Sequence, residues 1–175
     1  MKLRSATAAD ADAILALNQE SVAVLSPLSR ERLAQLQGEA AIQRVIEDRG
    51  AVVAFLLAFR EGAAYDSPNY RWFADRYERF LYVDRVVVAS AARGRGAGAL
   101  LYRDVFEFAA THSVDLVTCE YDVEPPNPAS ERFHARFGFS EVGRQRLDGG
   151  KRVSLQAAHI GQGAAGRRGG ELSNE

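Results

Sequence analysis

The sequence predicts an α+β fold, a single mixed sheet that is mostly antiparallel, flanked by helices, with one pair of parallel neighbouring strands. Three observations predict it. Strand-like and helix-like runs follow in the order β-α-α-β-β-loop-β-α-β-α-β-β. Two strand-to-strand joins, Glu47-Asp48-Arg49-Gly50 and Asp148-Gly149-Gly150, are short and turn-forming, which makes hairpins. The fourth and fifth strands are joined through a helix, and that connection makes them parallel in a right-handed crossover.

Each element has its own signal. Lys2–Ser5 alternates as a short strand. Thr7, with Asp10 three residues on, forms a variant capping box and opens a helix over Ala8–Val24, which Pro27 stops. Ser29 caps a second helix, Arg30–Gln37, ended by Gly38. Ala41–Glu47 and Ala51–Arg60 are strands, the second almost wholly apolar and therefore buried on both faces. Residues 61–80 form a long aromatic and charged segment, with a short helix expected over Tyr70–Arg79. Its aromatics Tyr65, Tyr70, Trp72, Phe73 and Tyr77 suit core packing and substrate contact equally. Leu81–Ala89 is the next strand, and Gly98–His112 carries an apolar stripe at helical spacing. Val114–Asp122 is a strand, and Pro128–Phe137 a helix capped by Asn127 with proline at its first position. Phe139–Leu147 and Lys151–Ile160 close the chain as a hairpin. Residues 1–160 are expected to form one domain and Gly161–Glu175, polar and glycine-rich, a disordered tail.

Composition excludes several classes. The net charge of -1, from 22 basic against 23 acidic residues, gives no nucleic-acid footprint. The single cysteine, Cys119, allows no internal disulfide, and no Cys/His set has zinc spacing. The absence of an apolar leader or an 18-residue apolar run leads to an expected cytoplasmic protein that does not enter membranes.

The chemistry concentrates in residues 81–103. Glycines 94, 96 and 98 lie between a strand and a helix N-terminus, where free N–H groups and the helix dipole attract anions. Arg93 and Arg95 add positive charge. The pattern predicts a phosphate-bearing ligand. No Lys-Ser/Thr follows the glycines, so it is not a P-loop. Their spacing also differs from the dinucleotide fingerprint, although Glu120 lies 22 residues after Gly98.

Two motifs resemble the GNAT N-acetyltransferases. After Val86-Val87-Val88 stands Arg93-Gly94-Arg95-Gly96-Ala97-Gly98, similar to that family's acetyl-CoA turn. Further on come Cys119-Glu120-Tyr121-Asp122, Asn127, and Phe133-His134-Ala135-Arg136-Phe137-Gly138-Phe139, similar to its second signature. The order of elements from Lys2 to about Ile160 also fits, and the likeness is greatest to an uncharacterised bacterial branch. The resemblance implies GNAT-type α/β/α layering with splayed fourth and fifth strands, acetyl-CoA as cosubstrate, and direct transfer to a primary amine of a small molecule or peptide. It implies that the backbone of Arg93, Gly94, Arg95, Gly96, Ala97 and Gly98 holds the pyrophosphate. The strand Val86, Val87 and Val88 would pair with the pantetheine arm, and Asn127 and Ser130 would lie beside it. A homodimer is the frequent state in that family.

The same resemblance makes Glu120 the base; Asp84, by its place on the fourth strand, is the rival. Alternation puts Thr118, Glu120 and Asp122 on one face of the fifth strand, with Cys119 and Tyr121 on the other. It likewise puts Asp84 on the face of Val86 and Val88. A mid-strand carboxylate is costly unless used or paired, so a salt bridge is the alternative for Glu120. Where the family has a tyrosine acid, seven residues after the asparagine, this sequence has His134. His134 is either the acid or a filler beside the cofactor sulfur, with Tyr102 and Tyr121 as substitutes. The filler reading keeps a second function open, a CoA-binding or regulatory module with weak or no turnover. Cys119 is expected to be buried filler. The acceptor's contacts are expected among Asn18, Glu20, Ser21, Tyr65, Asp66, Tyr70 and Trp72.

Overall fold

The computed structural model describes residues 1–22 and 25–161. Seven strands form one sheet in the order β1-β2-β3-β4-β5-β7-β6. They are β1 Lys2–Ser5, β2 Ile42–Asp48, β3 Ala51–Arg60, β4 Leu81–Val88, β5 Leu116–Glu124, β6 Ser140–Arg146 and β7 Arg152–His159. Every neighbouring pair is antiparallel except β4 and β5. The α-helices are α1 Ala11–Glu20, α2 Arg30–Glu39, α3 Pro68–Ala74, α4 Ala97–Thr111 and α5 Pro128–Arg136.

The helices divide between the two faces. On one face Ile14 and Leu17 of α1, Leu33 and Leu36 of α2, and Tyr70 and Phe73 of α3 bury against Phe55, Phe59 and Tyr82. On the other, Leu101, Tyr102 and Val105 of α4 bury against Leu56, Val83, Val117 and Cys119, with Phe133 and Phe137 of α5 packed beside them. The central strand β3 is thus covered on both sides, which its continuous apolar run requires.

Several boundaries differ from the sequence-based expectation. The first helix is split into a 3-10 turn, Ala8–Asp10, and α1; Ala23 and Val24 of the expected helix lie outside the described residues. The Asp10 carboxylate accepts from the Thr7 N–H at 2.7 Å and from Arg4 at 2.8 Å, and this pins the turn. Gly38 does not end α2. The helix runs on to Glu39, whose carboxylate accepts from the Ala64 N–H at 2.8 Å. α3 begins at Pro68, because Ser67 caps it and accepts from the Tyr70 N–H, and it ends before Asp75. The Ser-Pro pair is a start signal that outweighs the aromatic periodicity. Gly143 on β6 lies under Trp72 of α3, where a Cβ would come within 2.5 Å of the indole. Of the expected tail, residues 162–175 lie outside the described residues.

Candidate functional site

The parallel pair is short. Only Leu81↔Val117 and Tyr82↔Thr118 are in register, and beyond them β4 and β5 part. The edges of Val83–Val88 and Cys119–Glu124 that face each other have no strand partner and border a cleft of about 830 Å³. Its walls bring together Val86, Val87, Val88, Arg93, Glu120, Asn127, Ser130 and His134 from the expected site residues.

Just after Arg93 of the lining, the chain turns into α4 with a geometry suited to an anion. Gly96 is the N-cap of α4 in a left-handed conformation, φ 89°, and Gly94 before it has φ 74°. Only glycine takes this backbone without strain. No side chain caps the helix, so its first-turn amides are free for an external acceptor. A Cβ on Gly98 would stand 3.3 Å from the Phe133 ring, so the head of α4 sits directly against α5. This free, glycine-lined helix terminus with Arg93 beside it fits a pyrophosphate. The Arg95 guanidinium instead pairs with Asp48 at 2.9 Å, leaving its backbone as the group that faces the turn. The Arg93 Nε donates to the Val88 carbonyl at 3.3 Å.

On the α4–α5 side, His134 is buried and fully engaged. Its Nδ1 is 2.8 Å from the Ser130 carbonyl oxygen, which can only accept, so Nδ1 carries the proton. The Tyr102 hydroxyl then donates to Nε2 at 2.7 Å. Burial lowers the pKa of His134, so the imidazole is neutral near pH 7. Tyr121 stacks on the ring at 5.6 Å. Asn127 caps α5, its Oδ1 accepting from the Ser130 N–H at 3.1 Å. Cys119 is buried on this side, and burial followed by the Glu120 charge pushes its thiol pKa up, consistent with filler.

On the α1–α3 side stand the carboxyls. Glu120 projects there, as alternation predicts. Burial, and then the charge of Asp84, push its pKa up to about 8, against the opposing influence of Tyr82 and Asn69. No salt bridge claims it, and its Oε2 is buried with no hydrogen-bond partner. Asp84 corrects the simple alternation. The register with β3 slips between Leu57↔Arg85 and Ala58↔Val83, leaving Asp84 as an unpaired bulge residue. The bulge turns both Asp84 and Arg85 toward α1, whereas Val86 and Val88 face α4. The Tyr65 hydroxyl donates to Asp84 at 2.6 Å and the Arg85 Nε at 3.2 Å. Burial raises the Asp84 pKa even against those partners.

Of the expected acceptor contacts, Tyr65, Asp66 and Ser21 line the cleft. Asn18 is buried and accepts from Arg85 at 2.8 Å. Tyr70 donates to the Arg60 carbonyl at 2.8 Å and, with Trp72, belongs to the core. Glu20 is exposed on α1. Asn69, Tyr82 and Arg85 are the site-adjacent residues that sequence reasoning missed. For Arg85, an arginine inside an apolar strand was the available signal.

A sheet parted between two central parallel strands, with a glycine turn heading the next helix at the opening, defines an acyltransferase-type fold. The chain belongs to the Acetyltransferase (GNAT) family, whose model matches residues 12–139. A phosphinothricin N-acetyltransferase of Streptomyces coelicolor is 47% identical over 66 residues, spanning 38% of this chain and only 37% of that relative. Among solved structures, Ard1 from Thermoplasma volcanium aligns with TM-score 0.74 at 14% identity, over 91% of this chain and 97% of that one. NAA60 of Arabidopsis thaliana, in complex with a bisubstrate analogue, aligns with TM-score 0.73 at 17% identity, over 91% and 98%. A ribosomal-protein-alanine N-acetyltransferase from Brucella melitensis aligns with TM-score 0.68 at 22% identity, over 91% and 100%. At these identities the structures show a shared fold.

Proposed function

We propose that this protein is an acetyl-CoA-dependent N-acetyltransferase acting on a primary amine of a small molecule or peptide. The observation that carries the reading is the coincidence of the β4–β5 parting with the uncapped glycine turn of α4. Acetyl-CoA supplies the thioester carbonyl and a thiolate leaving group. The amides of the glycine turn and of the head of α4, from Gly94 to Gly98, hold its pyrophosphate, and Arg93 adds a cation. The open edge of Val86–Val88 orients the pantetheine arm as an added strand would, and an amide there polarises the carbonyl. Asn127 and Ser130 flank the same arm.

An alkylammonium, with a pKa of about 10, must lose a proton before it attacks. Glu120 takes that proton, directly or through water. Its raised pKa brings a carboxylate into the range where a general base works near neutral pH. Asp84, held by Tyr65 and Arg85, supplies negative charge for the incoming cation. The candidate acid for the thiolate is the His134–Tyr102 pair, in which the proton sits on the Tyr102 hydroxyl that His134 holds. Phosphinothricin, the substrate in the relative's name, is one acceptor to include among trial amines.

A second reading has its own support. Both nitrogens of His134 are taken, which suits a module that binds CoA without turnover. The experiment that tests the main reading is thermal unfolding with saturating acetyl-CoA. The expected result is a raised Tm, abolished by Gly96→Glu, which strains the left-handed turn and sets a carboxylate over the amides. No shift in the wild type refutes both readings.

A further inference from the structure

Among the described residues, three buried polar atoms at the fork of β4 and β5 have no hydrogen-bond partner: the Tyr82 hydroxyl, the Thr118 hydroxyl and Glu120 Oε2. They form one group. Tyr82 and Thr118 are partners in the last registered step of the parallel pair, and Glu120 is two residues further along β5. Partner positions on neighbouring strands, and alternate positions along one strand, share a face of the sheet. The Tyr82 ring is fixed there by Tyr70 and Phe73, at 5.7 and 5.8 Å between centroids. A phenylalanine would fill that aromatic pocket equally well and would leave no orphan hydroxyl behind.

We propose that Tyr82 is a positioning residue for Glu120. Its hydroxyl donates to the buried Oε2, with Thr118 as a second contact, and so turns the other carboxyl oxygen toward the acceptor side of the cleft. No hydrogen bond joins the two side chains as they stand; rotation of the Glu120 carboxyl closes the contact. The approach registers on both groups, since Tyr82 draws the Glu120 pKa down and Glu120 pushes that of Tyr82 up.

The other groups facing Glu120 are accounted for. Asp84 on β4 raises its pKa and is itself paired with Arg85; Asp122 on β5 also raises it and is paired with Lys151 at the head of β7. Asn69 from α3 lowers it. Tyr65 and Cys119 feel its charge but keep their protons, because burial raises both. Tyr82 is the main group that opposes the upward shift of Glu120. The inference rests on Glu120 as the base, and its test needs neither an acceptor nor acetyl-CoA.

The experiment is a pH titration of the full chain, labelled with carbon-13 at the glutamate carboxyls and followed by NMR, with Glu120→Gln identifying the Glu120 signal. The wild-type midpoint is expected at about 8. Tyr82→Phe should move it up by roughly half a pH unit or more, because a stabilising donor to the carboxylate is lost. Thr118→Val should move the midpoint the same way by less, and gives a second variant should Tyr82→Phe fold poorly. A midpoint unmoved in both variants overturns the proposal and leaves Tyr82 a packing residue. A wild-type midpoint in the ordinary carboxylate range overturns Glu120 as a base poised near neutral pH. Acetyl-CoA binding, measured separately, is untouched by either result.

Discussion

Glu120 is a carboxyl in a place that disfavours its charge, and its linkage to folding follows from that. A folded pKa of about 8, against 4.5 as the ordinary value, means that the folded chain holds a proton the unfolded chain releases between those values. The stability contributed by the neutral form is complete below pH 4.5 and is lost as pH rises through 8. Glu120→Gln, which mimics the neutral form, should therefore raise Tm by roughly 5–15 °C more at pH 8.5 than at pH 5. An equal change at both pH values would place Glu120 in an unperturbed environment. The same variant should lower the rate of acetyl transfer by about 100-fold. His134 poses a different question, because its Nε2 accepts a hydrogen bond from Tyr102 and carries no proton of its own. In the proposed reaction His134→Phe lowers kcat by about 10-fold and leaves the acetyl-CoA thermal shift intact. Unchanged kcat would make His134 a spacer beside the sulfur. The sequence motif identified His134 but could not disclose its partners, since Tyr102 comes from another helix through the fold.

Among the elements, β4 does most to shape the cleft. Its bulge at Asp84 breaks the two-residue period, so Asp84 and Arg85 both face the α1–α3 side; alternation resumes after them, with Val86 and Val88 toward α4 and Val87 opposite. Alternation along a sequence cannot register an extra residue that only the partner strand reveals. β5 has no slip until it nears its end, at Asp122/Glu124, and there the alternation of Thr118, Glu120 and Asp122 was readable. The caps at Thr7, Ser29 and Asn127 were readable for the same reason, being local. At the far edge of the sheet, β6 depends on a glycine. Gly143→Ala would drive a methyl into the Trp72 indole, and denaturant unfolding should show a loss of about 1–3 kcal/mol. Unaltered stability would mean that α3 shifts freely, and that its packing over the sheet is loose.

At the scale of the whole molecule, the sheet separates two tasks that meet only where β4 and β5 part. The α4 and α5 side offers the glycine turn and His134; the α1 to α3 side offers Asp84, Glu120 and Tyr65. The order of strands and helices was legible because each element carries its own period and its own stop signals. The glycine turn before α4 was legible because its pattern lies within a single stretch of chain. The acceptor end was not, because its groups come from α1, α3, β4 and β5 and are neighbours only after folding. Among the described residues no helix is long and apolar enough to cross a membrane. In the proposed reaction, both faces must act on one pair of substrates. The direct measurement is mass spectrometry of a panel of primary amines incubated with the chain and carbon-13 acetyl-CoA. The account predicts a labelled N-acetyl product from at least one amine, lost in Gly96→Glu and strongly reduced in Glu120→Gln. Bound acetyl-CoA with no labelled product from any amine would contradict it and leave a CoA-binding module.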